Sequence, residues 1–212
     1  MQSKSDLTQI IKGVSLGSLS NYNNKINYNV LIPVINNLLI KSFISIPINK
    51  RFEKFGSVKL IDSSRISTCI TYFKWAEYKA SKAGIKVHTK FDLGIGIPES
   101  IIVTNAKEHD NSIIGKLTVG KNCIYIFHRA YVDYQCFDEY SQNDKYFISR
   151  LKSNAIIDEL ENLDITYCDN EHKLLDKDIK IIHDKIVYLG HKYNYKTEKK
   201  YRIIKIVDSQ NR

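Results

Sequence analysis

The stretch 121–134, KNCIYIFHRAYVDY, constrains the fold more than any other. Cys123 to Phe127 form an unbroken apolar run that stops at the polar pair His128-Arg129. A run this short and this continuous suits a strand in the middle of a sheet, covered on both faces. The side chain at its carboxyl end is then held rigidly and turned towards solvent, which suits a catalytic ligand. That position is His128. A second amphipathic stretch opens at Tyr131 and reads as a helix to Gln142, with Asp133, Asp138 and Glu139 as its acidic face.

The surrounding elements repeat the β-rich theme. Residues 57–61 read as a strand, apolar at Val58, Leu60 and Ile61, ending at Asp62-Ser63-Ser64. An acid directly after an apolar strand and followed by serines is either an exposed turn residue or a site. Residues 66–72 read as a second extended piece, and 74–82, KWAEYKASK, as a basic surface loop or short helix. Along 85–93, Ile85, Val87, Thr89 and Phe91 alternate with Lys86, His88 and Lys90, the pattern of a half-buried strand. On that pattern His88 falls on the polar, solvent-facing side. A turn at 94–98 and a strand at 99–105 complete an antiparallel hairpin. Asp92 falls at the strand end near the turn. A short helix at 111–117 and a strand at 146–151 flank the organising run. Before all of these, 27–43 carries Val30, Leu31, Val34, Ile35, Leu38 and Leu39 at helical spacing, a face that reads as core. After residue 155 the runs 179–189 and 201–207 read as short antiparallel strands.

Charge is distributed unevenly over the 212 residues, whose net charge is +9. Residues 1–60 hold eight Lys/Arg against two Asp/Glu, residues 121–170 five against nine, and residues 171–212 eleven against six. Basic ends favour a nucleic-acid partner there, and the acidic middle favours carboxylate chemistry. The four cysteines, Cys69, Cys123, Cys136 and Cys168, form no C-x-x-C pair, so neither a zinc site nor a disulfide framework is implied. Residues 32–48 are apolar in patches, but Pro33, Asn36, Asn37, Lys41 and Pro47 interrupt them, and no membrane span is expected. The start of the chain is polar, without a signal peptide, and a reducing intracellular compartment is the expectation.

Taken in order, a strand ending in an acid, a hairpin, a helix, a strand ending in a site, a helix and a strand follow the βββαβαβ logic of an α/β ribonuclease-H-like fold. In that fold, acids at the ends of adjacent strands meet around divalent cations, which activate the attacking oxygen and stabilise the leaving one in phosphodiester chemistry. The residues sharpen this. LIDSSRIS at 60–67, FKWAEYKASKAGIKVHTKFDL at 73–93, IPESIIVTNAKEHD at 97–110, HRAYVDY at 128–134 and FISRLKSN at 147–154 resemble, in order, the catalytic domain of the DDE transposases, specifically the insertion-sequence-four family of bacterial mobile elements. LGSLSNYNNKINYNVLIPVINNLL at 16–39 is similar to the segment preceding that domain.

The resemblance implies three divisions. Residues 1–56 are a helical remnant of an N-terminal region, 57–154 the ribonuclease-H-like core, a mixed sheet flanked by helices, and 155–212 a β-rich insertion. It puts the first catalytic aspartate, a metal ligand, on Asp62. The second belongs to a motif that usually reads Asp-Arg-Gly/Ala-Tyr, and that Asp falls on His128. The third is a glutamate in a helical Tyr/Arg/Glu/Lys signature after the insertion. No such signature occurs in the 212 residues, and neither Glu171 nor Glu198 has its context. The family implies Mg²⁺ or Mn²⁺. Imidazole is a nitrogen ligand poorly matched to Mg²⁺, so competent binding of the ion is not expected here. Arg150 and Lys152 match a basic pair facing DNA, and Arg129 and Lys82 are further DNA-facing candidates. The expectation is a truncated, inactive transposase, located in the bacterial cytoplasm with the nucleoid. Its partners would be element-end DNA and another copy of itself or a full-length relative. The alternative is a non-catalytic DNA-binding or interfering fragment. His109-Asp110 reads as fixing a turn, Asp133 as a helix-start acid, and His172, His183 and His191 as too irregular for a metal site.

Overall fold

A computed structural model describes residues 15–25, 30–45, 50–69, 71, 76–79, 82–165, 179–191 and 195–208. The polar residues 1–14, Cys168, Glu171 and His172 lie outside the described residues. The chain divides into a unit of residues 1–46 and a unit of residues 47–212. Among the described residues, no helix is long and apolar enough to cross a membrane.

The first unit carries two helices, α1 (Leu16–Lys25) and α2 (Leu31–Ser45). The apolar spacing of α2 does form a helix, but Val34, Ile35 and Leu38 are exposed rather than packed in a core. The preceding helix, LGSLSNYNNK, is polar and offers no apolar counterface.

In the second unit, six strands form one sheet: β1 (Ser57–Thr68), β2 (Glu77–Lys79), β3 (Lys82–Asp92), β4 (Ile97–Asn105), β5 (Cys123–Phe127) and β6 (Tyr146–Ser149). Their order is β2-β3-β1-β5-β6, with β4 also paired to β3. β1, β3 and β4 run antiparallel, while β1, β5 and β6 run parallel. This mixed sheet, an antiparallel hairpin followed by parallel strands on the other side of β1, is the ribonuclease-H-like arrangement. α3 (Ile114–Leu117) and α4 (Tyr134–Gln142) pack on one face. Three further strands, β7 (Ile156–Asn162), β8 (Ile179–Gly190) and β9 (Tyr201–Asp208), form a separate antiparallel sheet.

β1 does not end at Asp62 and restart at 66; it runs unbroken to Thr68, because β3 supplies ladder partners from Lys59↔Asp92 through Thr68↔Ala83. Within 74–82, residues 77–79 are a strand rather than a loop or helix, paired to β3.

The sheet's covered face carries Ile61, Tyr125 and Phe127, against Phe137 and Tyr140 of α4. Phe137 stacks on Phe147 of β6 at 4.1 Å between ring centres, and Tyr201 of β9 joins them, 5.7 Å from Phe147. Aromatic contacts of this kind add to the area term. α4 starts at Asp133, whose carboxylate accepts from Gln135 N (3.0 Å) and Cys136 N (3.5 Å). The helix-start reading of Asp133 therefore becomes an N-cap.

The opposite face is open. Register places Ile148, Ile126, Leu60 and Phe91 in one row across four strands. Ile148 is 60% exposed, and Ile101 and Val103 of β4 extend the apolar surface.

Candidate functional site

Parallel pairing of β1 with β5 stops at Ile61↔Phe127. Asp62 and His128 are the next residues on the two strands, so they stand side by side at the carboxyl end of the parallel pair. Side chains alternate along a strand. Both therefore share the open face with Leu60 and Ile126, the reverse of Ile61 and Phe127. A shallow pocket of about 310 Å³ forms there, with Leu60, Ile126 and Ile148 as its floor and Asp62, His128 and Arg150 at its polar end. Crevices at the carboxyl ends of parallel strands are where α/β sheets bind ligands.

His128 has a local task. It N-caps the turn Arg129–Tyr131, and its Nδ1 accepts from Ala130 N at 3.4 Å. While Nδ1 accepts this bond, the ring must give it up or change tautomer before it can offer a lone pair to a cation. An aspartate in that position has two oxygens and can cap with one while offering the other. Asp62 accepts from Ser63 N at 2.8 Å and is otherwise exposed. One carboxylate and one committed imidazole do not fit a pair of oxygen-seeking Mg²⁺ ions. Among the described residues, no three His, Cys, Asp or Glu side chains come together in a way that could hold a metal ion.

The transposase DDE domain family matches residues 53–207, which contain this whole site. The chain belongs to the DDE transposase family. A relative described as a probable transposase for insertion sequence element IS5377, from Geobacillus stearothermophilus, is 24% identical over 113 residues. The match covers 53% of this chain and 29% of that protein, so the chain spans less than a third of the relative's length. A solved structure of the piggyBac transposase synaptic complex with hairpin DNA overlaps 97% of this chain and 50% of its own, at 12% identity and a TM-score of 0.37.

Within this DDE-family sheet the basic candidates are spread out. Arg129 and Arg150 are exposed and close to the pocket in sequence and fold. The Lys152 ammonium donates to Val132 O at 3.0 Å, tying the end of β6 to the corner after β5. Lys82 is exposed at the far end of β3, where β1 has run six residues past Asp62, about 20 Å at strand rise.

The largest departure from the sequence reading is His88. It is fully buried, not on a solvent face. The polar side of β3 is the covered side, and Lys86, Lys90 and Asp92 are buried with it. Charges are tolerated there because they are paired. Lys59 bridges Asp92 and Glu99, Lys90 reaches Glu99 at 3.1 Å, and Lys86 reaches Asp110 at 3.1 Å. Burial raises the Asp92 and Glu99 carboxyls, but Lys59, together with Ile95 N and Gly94 N at Asp92 and with Lys90 at Glu99, outweighs it and holds both below the usual range. Alternation showed that the two faces differ; it could not show which was covered. The one available signal was the presence of acids at 92, 99 and 110 able to neutralise lysines on that side. Asp92 also accepts from Gly94 N and Ile95 N, closing the hairpin turn as its position implied. Asp110 is bonded to Ser63 Oγ (3.3 Å) as well as Lys86, so it braces the turn against β1.

Asp138 is likewise not part of an acidic surface. It is buried and accepts from Tyr195 Oη, Tyr201 Oη, Glu198 N and Lys199 N, between 2.7 and 3.0 Å.

Proposed function

We propose that this chain is an insertion-sequence transposase derivative that binds DNA through its basic surfaces and has lost metal-dependent strand cleavage and transfer. In this reading Asp62 is the first ligand position and His128 occupies the second. Residues 57–154 are the former catalytic core, residues 155–212 the β-rich insertion, and residues 1–56 a preceding helical segment. The observation that carries it is the juxtaposition of Asp62 and His128 at the end of the β1–β5 pair, with His128 spending its lone pair on Ala130 N.

DNA is the partner that the charge favours. Arg129 and Arg150, exposed beside the pocket, are the proposed phosphate contacts. Lys152 keeps two donors beyond the one given to Val132, and Lys82 extends the track along the hairpin. Pairing with another copy or with an active relative is the way such a chain would interfere with transposition. The cytoplasm of a bacterium, at the nucleoid, is where this would occur.

The test is a Mn²⁺ titration of the chain and of His128→Asp. Binding by the variant alone supports a fold that still presents two ligand positions, one of which has been lost. Equal binding by both, or cleavage of element-end DNA by the unaltered chain, would sink the proposal.

A further inference from the structure

We infer that His88 is a positioning residue that sets the corner through which residue 128 faces Asp62. The inference rests on reading Asp62 and residue 128 as the site.

A fully buried imidazole is costly unless both nitrogens are bonded. Here both are. Nδ1 lies 2.8 Å from Tyr131 Oη, and Nε2 lies 3.0 Å from Thr104 Oγ1. The proton positions follow from the neighbours. Thr104 Oγ1 donates to Asn105 O at 3.3 Å, so it accepts from Nε2–H. Nδ1 then holds the lone pair, and the Tyr131 phenol donates to it. The rings meet edge to face, 5.9 Å apart at 77°. Burial lowers the His88 pKa and outweighs Asp110, which lies 3.7 Å from Nδ1 and raises it; Lys86 also lowers it and Glu108 raises it. The imidazole stays neutral, as the hydrogen-bond directions require.

Tyr131 closes the turn that begins directly after His128, and its amide donates to His128 O at 3.0 Å. The phenol, anchored on β3 through His88, therefore fixes where that turn leaves β5. The other side of the site is tied to the same cluster. Ser63, next to Asp62, donates to Asp110, which lies 3.7 Å from His88 Nδ1, and Lys86 holds Asp110. Residues 62 and 128 sit on different strands, but one leads within one residue to Asp110 beside His88, and the other within one turn to the hydroxyl that His88 accepts. Outer groups that orient ligands in this way are worth about 10–100-fold in metal affinity.

The experiment uses the whole chain, with Tyr131→Phe, which removes one hydroxyl, and His88→Gln. Amide exchange is followed by NMR at residues 129–132, with α4 as the internal reference. Tyr131→Phe is expected to speed exchange in the corner about tenfold while α4 is unchanged, and to move the His88 Nδ1 resonance, which packing alone would not do. Unchanged corner exchange in both variants, with only a global loss of stability, would overturn the inference. A parallel Mn²⁺ titration in the His128→Asp background separates the two readings. If that variant binds Mn²⁺ and adding Tyr131→Phe does not weaken it, the positioning role fails and the site stands. If it does not bind while the corner responds, the site reading fails and the role of His88 in the corner stands.

Discussion

Replacing Asp138 with asparagine tests how the second sheet is held to the first. The side chain changes little in shape, so the cost comes from hydrogen bonding. Oδ2 accepts Tyr195 Oη and Glu198 N, while Oδ1 accepts Lys199 N and Tyr201 Oη. Each oxygen thus serves one hydroxyl and one backbone amide. A hydroxyl can turn to accept from the new NH₂ group, but a backbone N–H cannot. Whichever way the amide lies, one of Glu198 N or Lys199 N is left facing a donor. An unsatisfied buried group costs about 1–3 kcal/mol, and the remaining bonds lose their charge assistance. The expected loss is about 3 kcal/mol in urea unfolding followed by circular dichroism at neutral pH.

The pH dependence supplies the control. Burial raises the Asp138 carboxyl, but the donors, Tyr195 first, outweigh it and hold the pKa below the usual range. A depressed folded-state pKa gives stability that is present above the unfolded value and is lost as pH falls through the folded one. The gap between the chain and Asp138→Asn should therefore narrow below about pH 4. A loss under about 1 kcal/mol, or a gap that does not change with acid, would refute the clasp.

Three further outcomes are expected. Lys59→Met leaves the buried Asp92 without its cation and the half-buried Glu99 with Lys90 alone, and should cost about 3 kcal/mol by denaturant titration. The open face carrying Ile148, Leu60 and Val103 should bind a hydrophobic dye, and Ile148→Lys should reduce that signal; a chain that leaves the dye dark would contradict the exposure described. In fluorescence-anisotropy titrations, Arg150→Ala should weaken binding to unrelated duplexes equally and lower the salt slope by about one, whereas a sequence-selective effect would place Arg150 at base edges.

What was legible in the sequence was what local pattern controls. The apolar run at 123–127, the β3–β4 hairpin and strands β8 and β9 follow from side-chain alternation and turn chemistry within a few residues. The pairing of Asp62 with residue 128 followed from the order of motifs and a family resemblance, and the register at Ile61↔Phe127 puts them together. What only the tertiary structure decided was which face of each element is covered. β1 passes through Asp62 because β3, more than twenty residues later, supplies hydrogen bonds on that side. His88 is interior because Tyr131, 43 residues away, needs an acceptor in the layer above it. Asp138 is interior because Tyr195, Glu198 and Tyr201, some sixty residues on, close over it. A polar side chain takes its character from its partners, and where those lie dozens of residues away, alternation along one strand or helix cannot name them.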